Sequence, residues 1–188
     1  MGEKSGVKVR SSVVRVRDQF VLARYGKLSR ELFRRDASRA LVEVITTPGD
    51  VWVDFGLFIE ANELICKRFG DGSPSLAREC GAYAAEANVG PWRPLLHRLL
   101  SPKLIMEIAG MLWSHHYDAG RLSTAQRGPK AMTVMVDDFP TPHVMHCASL
   151  EGWMLRTFQF SRPKHVTVRE VACRTKGATA CTFEGDWE

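Results

Sequence analysis

The spacing of apolar residues changes at Gly120, and this change limits the fold more than any other feature of the sequence. Before Gly120, apolar residues recur every three or four positions, which is typical of helices that bury one face. After Gly120, short segments alternate between apolar and polar residues as strands do, two on each side of a helix near residues 146–160. The predicted strands are residues 121–126, 131–136, 164–174 and 179–185. We therefore expect an α+β domain with helices packed on a four-stranded antiparallel sheet, ending in a strand-strand-helix-strand-strand unit.

Local signals predict where the helices of the first half begin and end. Gly26 and the turn at residues 70–74 are expected to end helices, because glycine and proline interrupt the helical backbone. Ser101 followed by Pro102 favours the start of another helix, since the serine hydroxyl caps free N–H groups and proline suits the first turn. Residues 7–16 alternate loosely, which predicts either a short strand or the beginning of the first helix.

Length and composition are those of one ordinary globular domain. The 188 residues are 45% hydrophobic and 25% charged, and no apolar run approaches the roughly 18–20 residues of a membrane span. No export signal is recognisable. We expect residues 1–6 to be a disordered tail, residues 7–188 to form a single domain, and the protein to be cytoplasmic. No nucleophile accompanies a base and no Gly-rich phosphate loop occurs, so we expect no enzyme activity.

Positive charge is concentrated at the start of the chain. Residues 1–39 contain 11 basic and 4 acidic side chains, so they carry 11 − 4 = +7, whereas the whole chain carries +5. Such asymmetry indicates an acidic partner, either a protein or DNA, although a solvated basic helix face would give the same pattern. The residues expected to contact this partner are Arg30, Arg34, Arg35 and Arg39.

Three of the five cysteines lie in the last quarter of the chain, near a glutamate. Glu170, Cys173 and Cys181 follow one another with gaps of two and seven residues, and Cys147 precedes them in the predicted helix. Three thiolates and a carboxylate suit a closed tetrahedral zinc site. Strict alternation places Glu170 and Cys173 on opposite faces of a strand, so the site requires a bulge or a strand that ends before Cys173. Spacing alone leaves open the alternative of packed free thiols, which we also expect for Cys66 and Cys80.

The segment that contains these cysteines resembles the closing signature of the 4-vinyl reductase domain family. It reads Val-Arg-Glu-Val-Ala-Cys-Arg-Thr-Lys-Gly-Ala-Thr-Ala-Cys-Thr-Phe-Glu over residues 168–184. A weaker resemblance covers most of the chain, which is most similar to an uncharacterised myxobacterial paralogue family. The features that carry it are Tyr25-Gly26, residues 117–121, His146-Cys147, Gly152-Trp153 and Trp187. The family is related to the TRAPP subunits and to the heme-nitric-oxide domains.

The resemblance implies a structural zinc ion. In the phenol-sensing regulators of that family, zinc is held by a cysteine in the late helix and by a later Glu-x2-Cys-x7-Cys string. Cys147, Glu170, Cys173 and Cys181 match that pattern. His146 adjoins Cys147 and is expected either to support the metal ligands or to lie exposed at the helix start.

The resemblance also implies a function. It indicates a non-enzymatic regulatory module that is homodimeric, binds an apolar small molecule in an internal pocket and signals through a partner. The alternative is a TRAPP-like interaction scaffold whose basic N-terminal face docks an acidic protein or DNA. Heme is not expected, because the Tyr-x-Ser-x-Arg string of the heme-binding relatives is absent. For His115 and His116 we expect stabilisation at a helix C-terminus rather than a role as metal or heme ligands.

Overall fold

The computed structural model describes residues 6–89, 101–161 and 163–188. Helices make up most of the first half. The elements there are β1 (Lys8–Arg10), α1 (Ser11–Asp36), α2 (Arg39–Thr46), β2 (Trp52–Asp54), α3 (Phe55–Phe69) and α4 (Ser75–Val89). β1 and β2 pair antiparallel as a small separate sheet, so residues 7–16 contain both a short strand and the start of a helix. The predicted tail, residues 1–6, lies outside the described residues except for Gly6.

Gly26 interrupts α1 and divides it into two helical segments. Its φ of 83° lies in the left-handed region, which glycine adopts without strain, and helical backbone resumes immediately afterwards. The predicted helix stop is therefore present as a break at Gly26, and a second helical segment follows it directly within α1. Beside the break, the rings of Tyr25 and Phe69 stack with their centres 4.6 Å apart.

The second half contains the predicted sheet. Its elements are α5 (Pro102–Met111), α6 (Trp113–His116), β3 (Arg121–Gly128), β4 (Ala131–Asp137), α7 (Val144–Gln159), β5 (Thr167–Ala172) and β6 (Cys181–Asp186). The four strands lie in the order β3-β4-β6-β5, and every neighbouring pair is antiparallel. The α+β class and the late strand-strand-helix-strand-strand unit are confirmed. The predicted cap is also present, since Ser101 Oγ accepts a hydrogen bond from the backbone N–H of Leu104.

The helix α7 occupies the centre of the molecule. One of its faces packs on the sheet, where Met154 and Phe158 are fully buried with Phe183. Another face meets α4 so closely that both helices carry a glycine at the contact. A Cβ built on Gly81 or Gly152 would lie 1.9 Å from a backbone oxygen of the opposite helix. α7 therefore fixes the position of α4 and of the sheet at the same time.

The described helices include none that is both long enough and apolar enough to cross a membrane.

Candidate functional site

A cavity of about 340 Å³ lies among the helices α1, α4, α5, α6 and α7. Its walls are largely small or aliphatic, and the side chains of Ala84, Ala109 and Ile105 leave the space unfilled. Trp113 and Trp153 form part of the lining. The volume falls at the lower end of the roughly 300–1,000 Å³ typical of small-molecule sites, and such sites combine apolar walls with a few polar groups.

One of these polar groups is His116, the last residue of α6. Its Nδ1 is buried and has no hydrogen-bond partner. Burial lowers the pKa of His116 below its usual range, although the carboxylate of Asp50 acts in the opposite direction. The imidazole is therefore neutral at neutral pH, with a nitrogen available to a ligand. The predicted stabilisation of His116 at a helix C-terminus would not involve Nδ1.

The second polar group is Arg17, which projects from α1 and is only 2% exposed. Its Nη1 donates to the carbonyl oxygen of Val13 (2.7 Å), and its Nη2 donates to Ser149 Oγ on α7 (2.6 Å). Its Nε lies 3.5 Å from Asn62 Oδ1 on α3. The guanidinium carbon stands 4.2 Å from the centre of the Phe58 ring. Arg17 thus links three helices beside the cavity.

His146 lies in an aromatic cage and is 2% exposed. The centres of the surrounding rings lie 4.8–6.2 Å from its own. These rings belong to Phe55, Phe58, Trp113, Tyr117 and Phe139. Burial lowers the pKa of His146 to about 3, so the ring is neutral. The expectation of an exposed histidine at the helix start is wrong, and its Nε2 has no hydrogen-bond partner through which to support a metal ligand.

The four residues of the predicted metal site lie together at the N-terminal end of α7. One ligand atom from each of Cys147, Glu170, Cys173 and Cys181 falls within 4.8 Å of all the others. The Sγ of Cys147 is 3.7 Å from that of Cys173 and 3.5 Å from that of Cys181. Cys147 lies in the first turn of α7, and Cys181 begins β6.

Both geometric requirements for this cluster are met. The register between β5 and β6 is irregular between Glu170 and Ala172, and β5 ends at Ala172. Cys173 is therefore freed from strict strand alternation and turns to the side of Glu170. Gly177, with a φ of 90°, closes the tight turn that returns the chain to Cys181.

The three thiols of the cluster differ in pKa. The S–H of Cys147 donates to Cys181, which lowers the pKa of Cys181 to about 6 and raises the pKa of Cys147. The backbone N–H of Arg174 also donates to Cys181 Sγ, at 3.5 Å. Burial raises the pKa of Cys173. The hydrogen bond from Cys147 therefore favours the thiolate form of Cys181, and Oε1 of Glu170 is buried without a hydrogen-bond partner.

The arginines predicted to dock a partner are partly used within the fold. Arg34 forms two hydrogen bonds of 2.7 and 2.8 Å with the buried carboxylate of Asp18, and Arg30 lies 4.0 Å from the same carboxylate. Arg35 pairs with Asp36 at 3.1 Å. Arg39, at the start of α2, is exposed. The positive charge of residues 1–39 is thus partly compensated, and docking through these four arginines stays a prediction.

Helices on one side, an antiparallel sheet on the other and a cavity between the helices define the α+β fold of the described residues. Similar solved structures are H-NOX proteins. The Fe(II) unliganded H-NOX protein from K. algicida is 12% identical with a TM-score of 0.66, and the match covers 95% of this chain and 96% of that one. The Fe(II)NO form of an H-NOX protein from S. oneidensis is 12% identical with a TM-score of 0.65 over 95% and 98%. No family model and no curated protein sequence matches the chain.

These comparisons correct two predictions. Membership of the 4-vinyl reductase family is wrong, because the proteins that share the fold over nearly the whole chain are H-NOX proteins. The likeness of the segment with Glu170, Cys173 and Cys181 rests on the short spacing of these three residues, and such a spacing does not define a family. The cofactor prediction, structural zinc with heme unlikely, is also wrong. One of the similar solved structures is described as modulating heme redox potential through porphyrin distortion. At this identity the likeness shows the fold alone.

The described residues that line the cavity include the chemical groups that a heme requires. Heme iron requires an axial ligand, and His116 offers a neutral imidazole in the cavity with an unpartnered nitrogen. The walls are apolar, and Arg17 supplies a buried cation. The role of His116 could not be recognised from the sequence, because histidines at helix ends usually face solvent. The signal for Arg17 was its place among Val13, Val14 and Phe20, on the apolar side of α1.

Proposed function

We propose that this chain is a non-enzymatic sensor module that binds a small, mainly apolar molecule among α1, α4, α5, α6 and α7. The observation that carries this proposal is the cavity of about 340 Å³, which is lined in part by His116, a residue whose buried Nδ1 has no hydrogen-bond partner. A cavity between helices with apolar walls and few polar groups is the usual form of a small-molecule site. The single domain predicted for residues 7–188 forms part of the proposal.

Heme is one candidate ligand. The similar H-NOX proteins are described in Fe(II) and Fe(II)NO states. In this chain His116 would ligate the iron and the apolar lining would exclude water. A bound heme supplies an iron that binds diatomic gases. His116 itself contributes a neutral nitrogen, because burial lowers its pKa.

Occupying the cavity with protein atoms is expected to weaken ligand binding. Ala84 lies in the cavity wall on α4, whereas Ala87 on the same helix is exposed. We expect Ala84→Leu to weaken binding of the neutral probe 2-naphthamide and of hemin by about tenfold, since the new side chain takes up the ligand's space. Calorimetric titration measures the naphthamide affinity, and the Soret absorption band measures hemin binding.

Two further variants complete this experiment. Ala87→Leu makes the same change outside the cavity and is expected to bind both probes like the wild type. His116→Ala is expected to retain naphthamide but to alter or abolish the hemin spectrum. Absence of binding by both probes, or equal affinities in Ala84→Leu and the wild type, would contradict the proposed function.

We also propose that Cys147, Glu170, Cys173 and Cys181 hold a metal ion that joins α7 to the last hairpin. This proposal is supported by the mutual distances within 4.8 Å and by the buried, unpartnered oxygen of Glu170. Three sulfur donors favour a thiophilic ion over magnesium or calcium. A bound cation would also displace the thiol protons that the four groups otherwise share.

Removing one thiol is expected to remove the metal. Protein purified without chelators should contain about one thiophilic ion per chain, and Cys181→Ser should contain almost none. Cys80→Ala is the matched control, because Cys80 is buried but lies outside the cluster. Metal analysis by mass spectrometry gives the content. Equal metal contents in Cys181→Ser, Cys80→Ala and wild type would show that the cluster is not the binding site.

A further inference from the structure

The charge of Arg17 is buried without a negative partner. No described carboxylate oxygen lies within 4.0 Å of its guanidinium, and Glu3 is the only acidic residue outside the described ranges. Buried charges in proteins are normally paired, because removing an ion from water is costly unless an opposite charge replaces the water. An unpaired cation at the wall of a cavity is therefore unusual.

The contacts of Arg17 satisfy only part of its hydrogen-bonding capacity. A guanidinium has five N–H donors. Three hydrogen bonds, to the oxygens of Val13, Ser149 and Asn62, leave 5 − 3 = 2 donors. All three acceptors are neutral, so none compensates the charge. The Phe58 ring covers one face of the guanidinium.

The titratable groups near Arg17 are neutral as well. Burial raises the pKa of Cys80 and that of Tyr117 to about 12, so neither carries negative charge at neutral pH. His146 is uncharged, because burial and the Arg17 cation lower its pKa to about 3. The described surroundings of Arg17 therefore contain no compensating anion.

We infer that the ligand of this cavity is an apolar carboxylic acid whose carboxylate pairs with Arg17. Two spare N–H donors match the two oxygens of a carboxylate, which arginine binds in a fork-like geometry. A phosphate would bring additional negative charge, and no lysine and no second arginine occurs among the described residues that line the cavity. The small, apolar volume suits a compact hydrocarbon body. This inference rests on the proposed function and specifies the class of its ligand.

A pair of probes that differ in charge tests this inference. 2-Naphthoate and 2-naphthamide have nearly the same shape, but only the first carries a carboxylate. We expect the wild type to bind 2-naphthoate at least about tenfold more tightly than 2-naphthamide, because a charge-assisted hydrogen bond is the stronger one. Arg17→Met is expected to abolish this preference while retaining 2-naphthamide. Calorimetric titration at neutral pH measures all four affinities.

Arg24→Met is the matched control, since Arg24 lies on the same helix but has a side chain that is 53% exposed. It is expected to keep the full preference for the acid. If Arg17→Met does not fold, Arg17→Lys and the wild-type comparison of the two probes decide the question. Equal affinity of wild type for acid and amide would overturn the carboxylate inference and leave the proposed function intact. Failure of both probes to bind would overturn both.

Discussion

Replacing Gly152 with alanine is expected to lower the free energy of unfolding by about 3 kcal/mol or more. The new Cβ would lie 1.9 Å from the backbone oxygen of Arg78 on α4 and 2.7 Å from its carbonyl carbon. Neither atom can move without shifting the whole helix, so α4 and α7 must separate. Gly81 makes the reciprocal approach to the backbone oxygen of Ser149, also at 1.9 Å, so the helices are in backbone contact at two points.

Thermal or urea unfolding measures this effect. For a chain of this size, a loss of about 3 kcal/mol corresponds to a fall of about 6–12 °C in Tm. Gly128→Ala serves as the control, because among the described residues its new Cβ would meet only Ala131 Cβ within 4 Å, at 4.0 Å. A Gly152→Ala protein with the stability of the Gly128→Ala control would show that α4 and α7 do not pack in this way.

Replacing Arg34 with methionine is expected to lower the free energy of unfolding by about 2–3 kcal/mol. Arg34 donates two hydrogen bonds to Asp18, whose side chain is only 4% exposed. Loss of the guanidinium leaves this carboxylate buried with the more distant Arg30, 4.0 Å away, as its remaining cation. The cost is therefore that of an incompletely compensated buried charge.

Arg35→Met is the matched control for this effect. The Arg35 side chain is 67% exposed and pairs with Asp36 near solvent, so its loss should change stability by less than about 1 kcal/mol. Urea unfolding of both variants at neutral pH makes the comparison. Equal stabilities would mean that the Asp18–Arg34 pair does not contribute to the fold. For the same reason, loss of partner binding in an Arg34 variant would not identify a docking residue unless the variant is shown to be folded.

The grouping of Cys147, Glu170, Cys173 and Cys181 was largely predictable from the sequence. Glu170, Cys173 and Cys181 lie in two neighbouring strands and their turn, so short-range spacing limits their positions. The requirement for a bulge or an early strand end also followed from alternation alone, and the register irregularity after Glu170 meets it. The family resemblance and the cofactor prediction drawn from this spacing were wrong, because a short residue spacing can occur in unrelated folds.

The contacts that the buried Arg17, His116 and His146 side chains make were not predictable, although the apolar neighbours of Arg17 on α1 indicate its burial. Each is polar, and polar residues are mostly exposed in proteins. Arg17 reaches Ser149 across 132 positions of the chain, a contact that no local pattern reports. His146 was expected near the metal ligands or in solvent, but its ring is enclosed by aromatic side chains from three different parts of the chain.

By itself, the sequence determined the α+β class, the order of the strands and helix after Gly120, and the grouping of Cys147 with the last hairpin. These features depend on periodicity and on turns, which act over a few residues. Only the tertiary structure decided that a cavity remains beside α7, that Arg17 and His116 face it, and that Arg34 is held by Asp18. The physical reason is that burial depends on how closely distant helices approach, and here the glycine contacts between α4 and α7 set that distance.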